Sequence, residues 1–122
     1  LDVTIRNTAP ADAAELPAYI TGGGGQGVPP GEIKTAVYVY LPEGSAPVFI
    51  EASGDVETPG FGGGIDGGLD VVVWTVQLAP GQTTTLSVQV STPSTPRIVT
   101  RSTPTIDEEV TSGVAPTCDI PK

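Results

Sequence analysis

Leu69-Asp70-Val71-Val72-Val73-Trp74-Thr75-Val76-Gln77-Leu78, LDVVVWTVQL, decides the fold. β-branched and aromatic side chains fit the pleated surface of a strand, and here they form the strongest strand in the chain. Side chains alternate across a strand, so Val72, Trp74, Val76 and Leu78 form one inward row, with Trp74 as the natural centre of a core. Ala79-Pro80-Gly81-Gln82 then turns the chain into Thr83 to Ser91, TTTLSVQVS. Leu86, Val88 and Val90 point inward there, and the Thr, Ser and Gln positions face water. The two runs read as the clearest hairpin in the sequence.

The same grammar continues towards both ends. Leu1-Asp2-Val3-Thr4-Ile5-Arg6 alternates with period two and turns Leu1, Val3 and Ile5 inward, until Asn7-Thr8-Ala9-Pro10 breaks the pattern. Ala11 to Ile20 is expected to form a short helical turn or loop in which Leu16 and Ile20 pack down, because Pro17 opposes a long helix. Ile33 to Leu41 is a β-rich run with Thr35, Val37, Val39 and Leu41 on one face and Ala36, Tyr38 and Tyr40 on the other. Both faces are expected to be partly covered, which would commit the two tyrosines to packing. Pro42-Glu43-Gly44-Ser45 is a turn, and Pro47 to Ala52 returns as the next strand. Arg97 to Arg101 offers a last short strand, confined by Pro93, Pro96 and Pro104 to an edge or a strand boundary. From residue 106 a partly ordered C-terminal tail is expected, so residues 1–105 form one domain.

Composition agrees with this reading. With 16 glycines and 13 prolines in 122 residues the chain approaches a low-complexity composition. Ile, Leu, Val and Phe nevertheless supply about a quarter of it, enough to build a core, and Gly and Pro gather between the apolar stretches. A chain of this length buries about two-thirds of its unfolded surface around a single core. About six to seven short strands with almost no helix predict an all-β fold, an immunoglobulin-like antiparallel β-sandwich with long Gly-rich loops.

Charge and residue types exclude several functions. A net charge of −9, with only Arg6, Lys34, Arg97, Arg101 and Lys122 as cations, opposes nucleic-acid binding, which needs a concentrated basic face. The chain has no histidine, and this removes the usual triads, His-based zinc sites and the commonest general base. Lys34 sits inside a strand, where a solvated edge position accounts for it. Glu51, Asp55, Glu57, Asp66 and Asp70 could pair as glycosidase carboxylates, but six aromatic residues, with Trp74 and the strand tyrosines in the core, leave little to line a substrate cleft. Cys118 is the single cysteine, so no intrachain disulfide or CxxC pair exists. It reads as an incidental tail thiol, with an intermolecular disulfide as the alternative. No run approaches the 18 or so apolar residues of a membrane span.

Two glycine clusters invite ligand readings. Gly22, Gly24 and Gly27 in TGGGGQGVPPG have the spacing G-x-G-x-x-G, but a dinucleotide loop must open a helix, and Val28-Pro29-Pro30-Gly31 leads into a strand instead. The expected element is a flexible connector. In the second cluster, Gly60 to Asp70 invites a calcium reading, yet with Asp66 in the aspartate position Phe61 falls on a required glycine and Gly68 on the required apolar site. An ordinary long hairpin loop is expected there. The acidic run Asp107-Glu108-Glu109 reads as a solvated tail rather than a cation site.

Four phrases carry a resemblance. They are LDVTIRNTAP at residues 1–10, LPAYITG at 16–22, VYVYLPEG at 37–44 and VQLAPGQT at 76–83. Together they resemble the C-terminal β region of large uncharacterised actinobacterial envelope proteins, a domain of unknown function. The resemblance covers most of residues 1–105 and implies an N-terminal membrane anchor elsewhere in the parent, an extracytoplasmic location at the cell surface or envelope, and no established activity. The expectation is a non-catalytic structural or protein-interaction module of a larger envelope protein, with a carbohydrate-binding module for cell-wall glycan as the alternative. The chain reads as a piece of something longer, and exposed Tyr19, Tyr38, Tyr40 or Phe61 in a row would favour the carbohydrate reading. No catalytic, cofactor-binding or metal-binding residue and no cofactor is assigned. Expected partners are an envelope protein or wall glycan, with no nucleic acid, and with membrane contact only through the parent's anchor.

Overall fold

The structure is a computed structural model, and it describes residues 1–55, 60–93 and 102–103. Six strands stand among these residues: β1 (Asp2–Arg6), β2 (Ile33–Tyr40), β3 (Ala46–Gly54), β4 (Gly60–Asp66), β5 (Leu69–Leu78) and β6 (Thr83–Ser91). They form two three-stranded antiparallel sheets, β1-β6-β3 and β2-β5-β4, so the fold is an all-β sandwich as expected. The expected strand Arg97 to Arg101, the tail from residue 106 and Cys118 lie outside the described residues.

Alternation explains the core. Val72, Trp74, Val76 and Leu78 of β5 and Leu86 and Val88 of β6 are buried, and Val39 and Leu41 join them; Trp74 is 0% exposed at the centre. Val3, Ile5, Ile33, Val37, Ile50, Ala52 and Val90 pack around this set. The indole Nε1–H of Trp74 has no hydrogen-bond partner among the described residues, so this side chain acts through its apolar bulk. One expectation fails inside β6: Thr84 shares the inward face of Leu86 and is buried, and its hydroxyl donates to the Ser53 carbonyl at 2.9 Å.

The pairing of the strands differs from the sequence reading. β5 and β6 do not form a hairpin, because β5 lies between β2 and β4 while β6 lies between β1 and β3. Ala79-Pro80-Gly81-Gln82 is a turn closed by Gln82 N–H donating to the Ala79 carbonyl at 3.1 Å, with Gly81 at φ 81°. Proline second and a positive-φ glycine third is the type II arrangement, whose twist splays two strands instead of pairing them. Pro42 to Ser45 likewise carries the chain from β2 to β3 in the opposite sheet. The true hairpin is β4–β5, in the glycine cluster expected to be a loop. Gly67 and Gly68 both have positive φ, 57° and 83°, which is the type I′ geometry that matches strand twist. β2 beside β5 and β3 beside β6, with both links passing between sheets, is a crossed pair of pairs. β1 extends the β6 sheet, whereas the first strand of an immunoglobulin constant-type domain sits beside the second.

Between β1 and β2 lie two short 3-10 turns, Ala13–Glu15 and Gly22–Gly24, and one helical turn, α1 (Ala18–Thr21). Leu16 and Ile20 do not pack down here. Both are exposed, and the smaller Ala13 is the buried residue, closing over Gly31 where a Cβ would stand 3.1 Å from its own.

Asn7 joins the two sheets at this end and is 3% exposed. Its Nδ2 donates to the carbonyls of Gly31 at 2.9 Å and Leu78 at 3.0 Å, and its Oδ1 accepts from Ala9 N–H at 3.0 Å. Its own N–H donates to the Gln82 carbonyl at 2.9 Å, while its carbonyl accepts from Gly81 N–H at 2.8 Å. Both amide hydrogens and both oxygens are engaged, which is what a buried amide requires. Asn7→Ala strands two carbonyls and is expected to cost about 2 to 4 kcal/mol. Asn7→Asp sets a carboxylate against the same carbonyls, so its folded state binds a proton more tightly than its unfolded state, and its stability should rise as pH falls. Urea denaturation of both variants at neutral and mildly acidic pH checks this; wild-type stability of Asn7→Asp at neutral pH would refute it.

Candidate functional site

The outer face of the β2-β5-β4 sheet carries side chains that the core does not use. Register puts Tyr40, Val71 and Gly64 in one row across it and Tyr38, Val73 and Gly62 in the next. The tyrosines are therefore not committed to packing, since only the opposite face of β2 is covered by the second sheet. Tyr38 is 59% and Tyr40 49% exposed.

Tyr40 shows how the face is organised. Its hydroxyl donates to Asp66 Oδ2 on β4 at 2.6 Å, although β5 lies between the two strands. With adjacent strands about 5 Å apart, the side chain must extend across the sheet over Val71. Val71 is accordingly only 7% exposed despite facing away from the core. One side of the Tyr40 ring is thus seated on the sheet and the other is open to solvent.

On the β4 side the wall is missing. Gly60, Gly62 and Gly64 face outward, and none of them has the positive φ that would demand glycine. A Cβ at Gly64 would meet nothing within 4 Å, and one at Gly62 would meet only Val73 Cβ at 3.9 Å. Glycine weakens a strand interior, so its presence here leaves space at a cost in stability. The result is an open groove of about 230 Å³ lined by Tyr38 and Tyr40 of β2, Val71 and Val73 of β5, and residues 63–66 of β4. It is small and open-sided, suited to the flat face of a ring rather than to an engulfed ligand.

The remaining aromatics do not extend this row. Tyr19 is exposed on α1, and Phe61 lies on the inner-facing side of β4 opposite Trp74. The acidic residues considered as a catalytic pair are not brought to one site, and register turns the two nearest in the ladder, Asp66 and Asp70, to opposite faces of the sheet. Glu51 stands on β3 in the other sheet; Asp55 accepts from Thr83 N–H at 2.8 Å; Asp66 and Asp70 flank the β4–β5 turn; Glu57 lies outside the described residues. The span weighed as a calcium turn and expected to be an ordinary long hairpin loop is β4 and its hairpin, and among the described residues no three His, Cys, Asp or Glu group to hold a metal ion. Gly22 to Gly27 form successive turns, Gly25 N–H to the Gly22 carbonyl at 3.3 Å and Gly27 N–H to that of Gly24 at 3.1 Å. Lys34 is an exposed residue of edge strand β2. No helix among the described residues is long and apolar enough to cross a membrane.

Comparison with protein-family models, with curated proteins and with solved structures returns no match for this chain.

The Asp66 hydrogen bond, and then the Asp66 charge, hold the Tyr40 phenol above its ordinary pKa. The neutral phenol is the favoured form, so the contact persists below the unfolded tyrosine pKa and is lost as pH rises through the higher folded value. Tyr40→Phe should remove the most alkaline part of the tyrosinate absorbance titration, and Asp66→Asn should move that part to lower pH. An unchanged titration in Asp66→Asn would refute the contact.

Proposed function

We propose that this chain is a non-catalytic binding module whose working surface is the outer face of β2-β5-β4, and that its ligand is a glycan. The observation that carries the reading is the pair Tyr38 and Tyr40 exposed beside a strand cleared of side chains. Proteins hold sugars by stacking an aromatic face on the C–H face of a pyranose and bonding its hydroxyls at the edge. Tyr40 offers the open ring face and Asp66 the acceptor at its rim. A net charge of −9 supports a neutral ligand over nucleic acid. Together with the resemblance to envelope proteins, this favours cell-wall glycan as the ligand, an extracytoplasmic setting, and attachment to the membrane only through an anchor in the parent protein.

The protein-interaction reading is favoured by a different observation. Among the described residues β4 is an edge strand with every residue exposed, and Phe61 and Ile65 on its inner-facing side are 48% and 78% exposed. An extended segment of a partner protein could add to that edge through main-chain hydrogen bonds. Phe61→Lys, on the same edge but outside the groove lining, would weaken such pairing and leave glycan binding intact.

The two faces of β4 make the glycan reading testable through stability and binding together. A Cβ at Gly64 meets no atom within 4 Å, so Gly64→Val should occupy the groove and raise unfolding stability by about 0.5 to 1 kcal/mol. The same variant, and Tyr40→Ala, should weaken binding of short neutral glycan oligomers by about tenfold, the scale of one lost aromatic contact. Phe49→Ala, on the outer face of the other sheet, should leave binding unchanged. Isothermal titration calorimetry with thermal melts reads both quantities, and undiminished binding by Gly64→Val would overturn the assignment.

A further inference from the structure

The groove's polar groups are unequal in kind. Tyr40 has its only hydroxyl hydrogen engaged on Asp66, so among the described residues Tyr38 is left as the one side-chain donor lining the groove. The acceptors are more numerous, comprising the remaining Asp66 lone pairs and the two phenol oxygens. Among the described residues no lysine or arginine lines it; Lys34 is on β2 about 20 Å along the strand from Tyr40, and Arg6 is in the other sheet. An anionic sugar would meet a carboxylate with no compensating cation, whereas a donor-rich ligand would meet acceptors throughout.

Resting on the glycan reading, we infer that Asp66 selects a sugar bearing a free amino group, whose ammonium sits on the carboxylate lining the groove while the ring lies over Tyr40. Asp66 lines the groove and its Oδ2 already accepts from the Tyr40 hydroxyl, which restrains the carboxylate before ligand arrives. The ligand class is thus an amino-sugar oligomer with its nitrogen unacetylated, preferred to the N-acetylated form and to uronic-acid or sulfated glycans.

Short oligomers of glucosamine and of N-acetylglucosamine differ at that nitrogen alone, and they are the probes. Calorimetric titration at low salt is expected to give about three- to fivefold tighter binding of the glucosamine oligomer, the range of one exposed ion pair, shrinking as salt is added. Asp66→Asn keeps an amide oxygen for the Tyr40 hydroxyl and should abolish the preference while retaining the N-acetylated oligomer. Gly64→Val, whose charge is unchanged, should lose both. Equal binding of the two oligomers, or a preference that survives in Asp66→Asn, overturns the amine inference and leaves the glycan reading standing. Binding of neither oligomer by the wild type overturns both.

Discussion

Asn7 is the polar joint on which this sandwich depends. The two sheets share no ladder, so apolar contact between them fixes their spacing but not their alignment, because hydrophobic burial has no direction. One buried residue supplies the direction. Its side-chain amide binds the approach to β2 at Gly31 and the end of β5 at Leu78, and its main chain binds the turn before β6 at Gly81 and Gln82, all from the residue that follows β1. Four segments meet at one residue, the side chain holding Gly31 and Leu78 and the main chain holding Gly81 and Gln82. That geometry also fixes its neighbours: Gly31 has φ 84° with Ala14 N only 3.0 Å from where a Cβ would stand, so the carbonyl that Asn7 holds can be presented there by glycine alone.

Faces were legible in the sequence, and partners were not. Period-two alternation placed Trp74, Leu78, Leu86 and Val88 in the core, since burial of one face leaves that pattern in any sheet. Alternation is silent on which strand lies alongside, and proximity in sequence misled for β5 and β6. The turn chemistry held the missing signal. Pro80-Gly81 specifies a type II turn that does not suit a tight hairpin, and Gly67-Gly68 specifies type I′, which does. Asn7 was read only as a breaker of β1, because a satisfied buried amide has no periodic signature.

β4 escaped for a related reason. A strand of sequence GFGGGID carries almost no hydrophobic signal, and its conformation is imposed by the β5 edge it completes rather than by its own propensity. The candidate site was hidden with it. Tyr38 and Tyr40 alternate with Val37 and Val39, and a strand apolar on both faces reads as covered on both. Only the placement of β2 in an outer layer, with none of the described residues packed over its second face, turns those tyrosines into surface.

Recognition in β-sandwiches more often belongs to the loops. Here the described turns are closed on themselves: Gly22 to Gly27 by successive backbone bonds, Ala79 to Gln82 by the Gln82 N–H and by Gln82 Oε1 accepting from Ala79 N–H at 2.8 Å. The outer face of β2-β5-β4 has the opposite character, with a rigid ladder beneath and unused groups above. A sheet holds Tyr40 and Asp66 at a fixed separation through two rows of main-chain hydrogen bonds, so little freedom remains to be lost when a ligand docks. Weak contacts on a small open groove gain most from such preorganisation. Three outward glycines on β4 make sense in the same terms: on a scaffold whose stability is secured by Trp74 and Asn7, a strand can give up side-chain packing on one face, and the space released is where a ring can lie.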